Sequence, residues 1–207
     1  MLQRTKGRLL ITLLVVTGLA GTLNDSSVSR EERKVAVTLL KEGRDELLER
    51  VKDLSEEQLN FIQPGTNSSI KNCLMQINWS EDRLWDNITT IMQQTSNPEK
   101  RLAIQYTDEQ IVKMTEQGAI SPSGSNTFKL ANAPWKATQT TISSFKNRRN
   151  EHIKYMKSST EDLRNHVALT PVGWIDCYQY ILIMGAETNC YVQQIDNILN
   201  HKKFPKK

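Results

Sequence analysis

Glu81 is the side chain whose position most demands a chemical explanation. It interrupts a stripe made by Ile70, Leu74, Ile77, Leu84, Ile88 and Ile91, residues that recur on one helical face. A carboxylate in such a stripe has two readings. Left unpaired, it has a raised pKa, which is a mark of functional sites. Paired with an arginine, for example one of the neighbours of Arg83 or Arg149 on the third long helix, it is structural, and this is the expected reading. Arg148 and Arg149 together could bind an anion, but adjacent arginines on a helix are expected to be solvated. Three cysteines, Cys73, Cys177 and Cys190, include no CxxC pair of the kind that supports redox or zinc chemistry. The sequence contains no glycine-rich phosphate loop, HExxH, GxSxG or EF-hand loop.

The elements that would position Glu81 read as helices. The first spans about 29–54, with Ser29 as N-cap, Glu31 and Glu32 in its first turn, and Ala36, Leu40, Gly43, Leu47, Val51 and Leu54 on one face. A short turn or helix follows at 55–59 and stops at Pro64 and Gly65. The second long helix starts at the N-cap cluster 67–69 and carries the Glu81 stripe. Thr107 caps a short helix over 108–116, and 121–126 is a loop by composition. The third long helix is expected over 134–158, with Ile142, Phe145, Ile153 and Met156 inward, and a further turn at 159–166. The fourth is expected to start after Pro171 and run to about Asn200, with Ile175, Tyr178, Leu182, Gly185, Val192, Ile195 and Leu199 inward. No stretch sustains the alternation of a strand. The fold class is therefore all-α, a four-helix bundle with a long crossover connection over 95–133.

The N-terminus reads as a targeting segment. Arg4, Lys6 and Arg8 precede an apolar run over 9–16, and Gly18 and Ala20 place small residues before a cut after Ala20. A signal peptide over 1–20 is the first reading and an uncleaved membrane anchor the second. Export to the periplasm or outside a bacterial cell is expected, with a linker over 21–32, the helical domain over 33–200 and a basic tail over 201–207. The full chain has a net charge of +4, but the signal holds three of its 27 basic residues, leaving 24 against 23 acidic ones. That near balance gives no reason to expect nucleic acid or an anionic membrane surface as a partner.

Two segments carry a family resemblance. In 68–85, Ser68-Ser69-Ile70-Lys71 is similar to the start of the helix-two signature of the DinB-like four-helix-bundle superfamily, with Ser68 in place of the usual Trp. In 171–195, Pro171-Val172-Gly173, Tyr178-Gln179-Tyr180 and Gln194-Ile195 resemble the helix-four pattern. The likeness covers roughly 33–199 and implies a DinB-like bundle. In metal-bearing members three histidines hold a divalent ion such as zinc or nickel, and some members resemble thiol transferases. Here Gln76, Glu187 and Tyr191 occupy the three histidine positions, while Glu81 fits the downstream acidic place. His152, His166 and His201 match none of them.

The resemblance therefore implies a degenerate site of Gln76, Glu187 and Tyr191, with no catalytic residue assigned. No cofactor is expected. A divalent metal held by the three oxygens is the alternative, and so is a metal-dependent or cryptic thiol transferase using these residues. The three side chains are expected to hydrogen-bond one another. Glu81, Cys73, Cys190 and Trp135 are the secondary pocket candidates. If helices two and four meet at the old site, Cys73 and Cys190 come near each other, and a disulfide between them is one outcome. Three buried thiols are the favoured one. The partner expected is a small molecule or a protein, with a membrane only if the N-terminal segment is kept. The resemblance also suggests a homodimer.

Overall fold

The computed structural model describes residues 28–120 and 138–206. Among these the chain forms α1 (Arg30–Val51), α2 (Glu56–Asn60), α3 (Ile70–Met92), a 3-10 helix (Pro98–Ala103), α4 (Asp108–Glu116), α5 (Thr138–Ser158), β1 (Val167–Thr170), β2 (Gly173–Asp176) and α6 (Cys177–Leu199). The expected start of the third long helix and the loop at 121–126 lie outside the described residues.

Helix starts are written by local chemistry. Ser29 with Glu32, Ser55 with Gln58, Thr107 with Gln110, and Asp176 with Gln179 each make a capping box. In each, the side chain of the cap and the side chain three residues on satisfy one another's backbone N–H groups, which the helix itself leaves free. Ser69 caps α3 by accepting from the Asn72 N–H.

Contacts between helices give their directions. Tyr178 donates to the Glu32 carbonyl and Arg50 to Asp196, both pairs separated by 146 residues, so α1 and α6 run parallel. Arg33 reaches the Met156 carbonyl while Arg149 reaches that of Leu40, so α1 and α5 are antiparallel. Arg148 meets Asn78 and Tyr155 packs on Trp85, so α3 and α5 run parallel. Parallel neighbours in sequence require the chain to travel back along the bundle between them. One leg of that crossover is α4, which follows α6 in parallel. Gln179 donates to the Tyr106 carbonyl and Asn189 to Glu116, again at a constant separation, here 73 residues.

Two hydrophobic clusters fill the interior. One joins Leu39, Leu40, Leu84, Ile88, Ile153, Met156 and the first half of α6. The other joins Leu47, Val51, Ile70, Leu74, Ile77, Phe145, Val192, Ile195 and Ile198. The inward stripes of α1 and α3 hold, except that Leu54 is half-buried. Ile142 and Leu199 are also only half-buried, and Ile198 takes the inward place near the end of α6.

Two expectations are corrected. The segment after Pro171 is not helical. Val167–Thr170 and Gly173–Asp176 form an antiparallel hairpin closed by Pro171 and Val172, and α6 begins only at Cys177. Gly173 has φ of +106°, which a residue with a Cβ rarely adopts, and Asp176 supplies the real helix cap. Four residues per strand are too few for alternation to stand out from the helical spacing that follows. The turn expected over 159–166 is an irregular segment rather than a helix.

That irregular segment delivers Arg164. Its guanidinium bonds Glu32 of α1, Asp108 of α4 and Asp176 at the head of α6, and lies 4.1 Å from the centre of the Tyr178 ring. Burial pushes the Asp176 carboxyl up to about 6 against the opposing charge of Arg164. A folded value above the ordinary one of about 3.9 means the native state holds the proton more tightly. This group's stabilising contribution is therefore full at low pH and is lost as pH rises from about 4 through about 6. Urea unfolding across that window should show a decline on the order of 2 kcal/mol that Asp176→Asn largely removes, because Asn still caps the helix. An equal decline in the variant would rule the assignment out.

A second prediction concerns the seam of α1 and α6. A Cβ on Gly185 would lie 2.7 Å from Leu39 Cγ. Gly185→Ala is expected to destabilise the protein by about 1–3 kcal/mol through overpacking, read from the shift in unfolding midpoint. An unchanged midpoint would mean that the two helices are not held this close.

Candidate functional site

Between the two hydrophobic clusters the core turns polar. Glu81 and Arg149 are both fully buried, at 1% and 0% exposure. Arg149 Nε lies 2.9 and 3.2 Å from the two Glu81 oxygens, and Nη2 also donates to Glu81. Its remaining donors reach the carbonyls of Leu40 (3.3 Å) and Met184 (3.2 Å) and the Thr188 hydroxyl (2.8 Å). His152 Nδ1 sits 2.8 Å from Glu81 Oε1, and its ring stacks on Trp85. Burial alone would raise the Glu81 carboxyl. The Arg149 charge and the hydrogen bonds from Arg149 and His152 outweigh it and hold the group at about 2. The expected pair of Glu81 with Arg149 is therefore present. The expectation that Arg148 and Arg149 are both solvated is corrected. Arg149 points into the core, and the half-buried Arg148 pairs with Asp82 and Asn78.

Beside this layer lie Gln76, Glu187 and Tyr191, the three positions that the resemblance singled out. Glu187 on α6 is buried and accepts a hydrogen bond from Ser80 on α3. Since α3 and α6 are antiparallel, Gln76, one turn before Ser80, and Tyr191, one turn after Glu187, fall on the same side of that contact. Burial lifts the Tyr191 phenol well above its ordinary value, and Glu187, Cys190 and Cys73 add to the shift. Gln76 Oε1 is buried and has no hydrogen-bond partner. The Gln76 oxygen bonds to neither Glu187 nor Tyr191.

The three cysteines are free. Cys73 and Cys177 are buried but Cys190 is only half-buried, which amends the expectation of three buried thiols. Burial pushes the Cys73 thiol up to about 12, with Cys190 contributing, so Cys73 is a neutral packing group. Trp135 lies outside the described residues.

These residues do not fit a zinc or nickel ion, which favours imidazole or thiolate. Gln76 offers a neutral oxygen, Tyr191 resists ionisation, Glu187 is engaged by Ser80, and the nearby thiol is protonated. Among the described residues no group of three or more His, Cys, Asp or Glu side chains could hold a metal. A separate open cleft of about 690 Å³ lies at the far end of α6, lined by polar side chains including Gln63, Thr66, Gln194 and Asn197, and it contains none of the candidate residues.

Sequence reasoning missed Ser80, Thr188 and His152. Each is a polar residue at an inward helical position, and that spacing was the available signal for Ser80, one residue before Glu81, and for Thr188, one after Glu187.

Glu81→Gln should cost about 3–5 kcal/mol in urea unfolding, because it leaves a buried guanidinium without its counter-charge. The pair's contribution should also fall away as pH drops from about 4.5 towards 2, since the folded Glu81 value lies below the unfolded one. Replacing both partners, Glu81→Leu with Arg149→Met, should cost much less than Glu81→Gln alone. A double variant as damaged as the single one would show that the charges do not act as a pair.

No curated protein matches the chain. No solved structure matches it either. A model of the DinB superfamily matches residues 39–195, which include α3, α4 and α5, most of α1 and α6, and every candidate position named above. With its parallel α3 and α5, its crossover and that match over most of its length, the chain belongs to the DinB superfamily.

Proposed function

We propose that this is an exported DinB-superfamily bundle in which the family's metal position has become a metal-free polar pocket for a small ligand. The observation that carries the reading is the buried, unpartnered Oε1 of Gln76. A buried acceptor without a donor costs about 1–3 kcal/mol, so a fold that keeps one gains from a ligand that supplies an N–H or O–H. The pocket is acceptor-rich. Besides the Gln76 oxygen it holds the Glu187 carboxylate, oriented by Ser80, and the half-buried Tyr191 phenol. Such a lining suits a ligand bearing several donors. Export rests on the signal-like layout of residues 1–20 and is part of the same proposal.

The test combines metal analysis with one substitution. The purified untagged chain, incubated with zinc, nickel and manganese, is expected to retain no stoichiometric metal by elemental mass spectrometry. A stoichiometric ion would instead support the metal-dependent enzyme and make Glu187 the first residue to replace. Gln76→Met removes the oxygen at similar volume. It should leave the unfolding midpoint unchanged or raise it, by up to about 1–3 kcal/mol in stability. A clear loss of stability would mean that the oxygen already has a partner, and the pocket reading would fall.

A further inference from the structure

The hairpin that precedes α6 has two unlike faces. Ala168 and Ile175, paired across the strands, pack on the core. Leu169 and Trp174 are paired on the opposite face, and Ile104 bridges to Trp174 from the other side. The outer face of a short antiparallel sheet is ordinarily polar. Here Leu169 is 66% exposed, and Leu102, at the end of the 3-10 helix beside it, is 81% exposed. Lys100 places its ammonium 5.3 Å from the centre of the Trp174 ring. Lys100 and Arg101 against Glu99 leave the 3-10 helix with a net charge of +1, and Arg101 also reaches the Asn165 side-chain oxygen.

The strip occupies the end of the bundle where α1 and α6 begin. Val28, packed in one cluster with Ile175 and Cys177, brings the chain in at that same end.

We propose that this end of the bundle, through Leu102, Leu169 and Trp174 with Lys100 and Arg101, rests on a lipid surface bearing anionic headgroups. A second copy of the chain is a poorer occupant. Two leucines and an indole offer far less than the roughly 1,200 Å² that a stable interface buries. A few apolar side chains flanked by cations are enough for peripheral attachment, with the indole at headgroup level. Among the described residues no helix is long and apolar enough to cross a membrane, so the contact made by the bundle is superficial.

The full chain is mixed with vesicles of brominated phosphatidylcholine, with and without phosphatidylglycerol, and tryptophan quenching is recorded. Quenching is expected to be stronger with phosphatidylglycerol and to be largely lost in Trp174→Phe. Leu102→Gln with Leu169→Gln should weaken partitioning at least roughly tenfold, from the lost transfer of two leucine side chains. Both positions are exposed, so circular dichroism should be unchanged. Absence of quenching overturns the proposal. So does full quenching in Trp174→Phe, which would place the contact elsewhere, on the N-terminal segment for example. A leucine variant that changes the mass by light scattering but not the partitioning would assign the strip to a second copy instead.

Discussion

A guanidinium with no access to water sits at mid-height in this bundle, and the packing around it is arranged to meet its demands. Removing such a charge from water costs several kcal/mol even after relaxation, and only a paired, fully hydrogen-bonded geometry offsets it. Arg149 obtains that geometry from all four long helices. Leu40 of α1 gives a carbonyl, Glu81 of α3 the counter-charge, α5 carries Arg149 itself, and α6 gives the Met184 carbonyl and the Thr188 hydroxyl. A slide of any one helix by a turn, about 5.4 Å, would break at least one of these bonds inside the core. The polar layer therefore works as a register mark between two apolar clusters that could otherwise pack in more than one way.

The ends of the helices are fixed by a different device. Arg164 ties together carboxylates at the heads of α1, α4 and α6, two of which also take part in capping boxes. It couples the crossover to the bundle, since Asp108 opens α4 while Glu32 and Asp176 open the parallel pair α1 and α6. One arginine holds the helix axes at mid-height and another holds the helix starts at one end. Close packing along the seam of α1 and α6 then needs small residues. Gly43 and Gly185 supply them, facing Thr188 and Leu39 respectively.

Much of the fold was legible because its signals are local. Ser29, Ser69 and Thr107 announced their helices, and Ile70, Leu74, Ile77, Leu84, Ile88 and Ile91 announced a buried face that is buried as read. Glu81 was legible as an exception within that face, and its arginine was among those named. Information that depends on a third dimension was harder to read. Arg149 follows another arginine on a helix of low apolar content, and only the meeting of four helices makes its site interior. The hairpin was hidden because Ile175, Tyr178 and Leu182 continue a helical spacing backwards across a strand. The Asp176 and Gln179 capping box, three residues apart, was the local sign that the helix starts there.

The site beside the polar layer follows from the same arrangement. Ser80 and Glu187 join α3 to α6 directly through a hydrogen bond. A hydrogen bond between side chains on facing helices needs no ion, no deprotonated thiol and no neutral imidazole to join them. It does leave Gln76 half-buried, with its Oε1 shielded from water and given no donor. The register that Arg149 sets does not involve this residue. A shielded acceptor without a donor is a hydrogen-bonding demand that the bundle itself leaves unmet, and under the proposed function it is where a donor-bearing ligand would gain most.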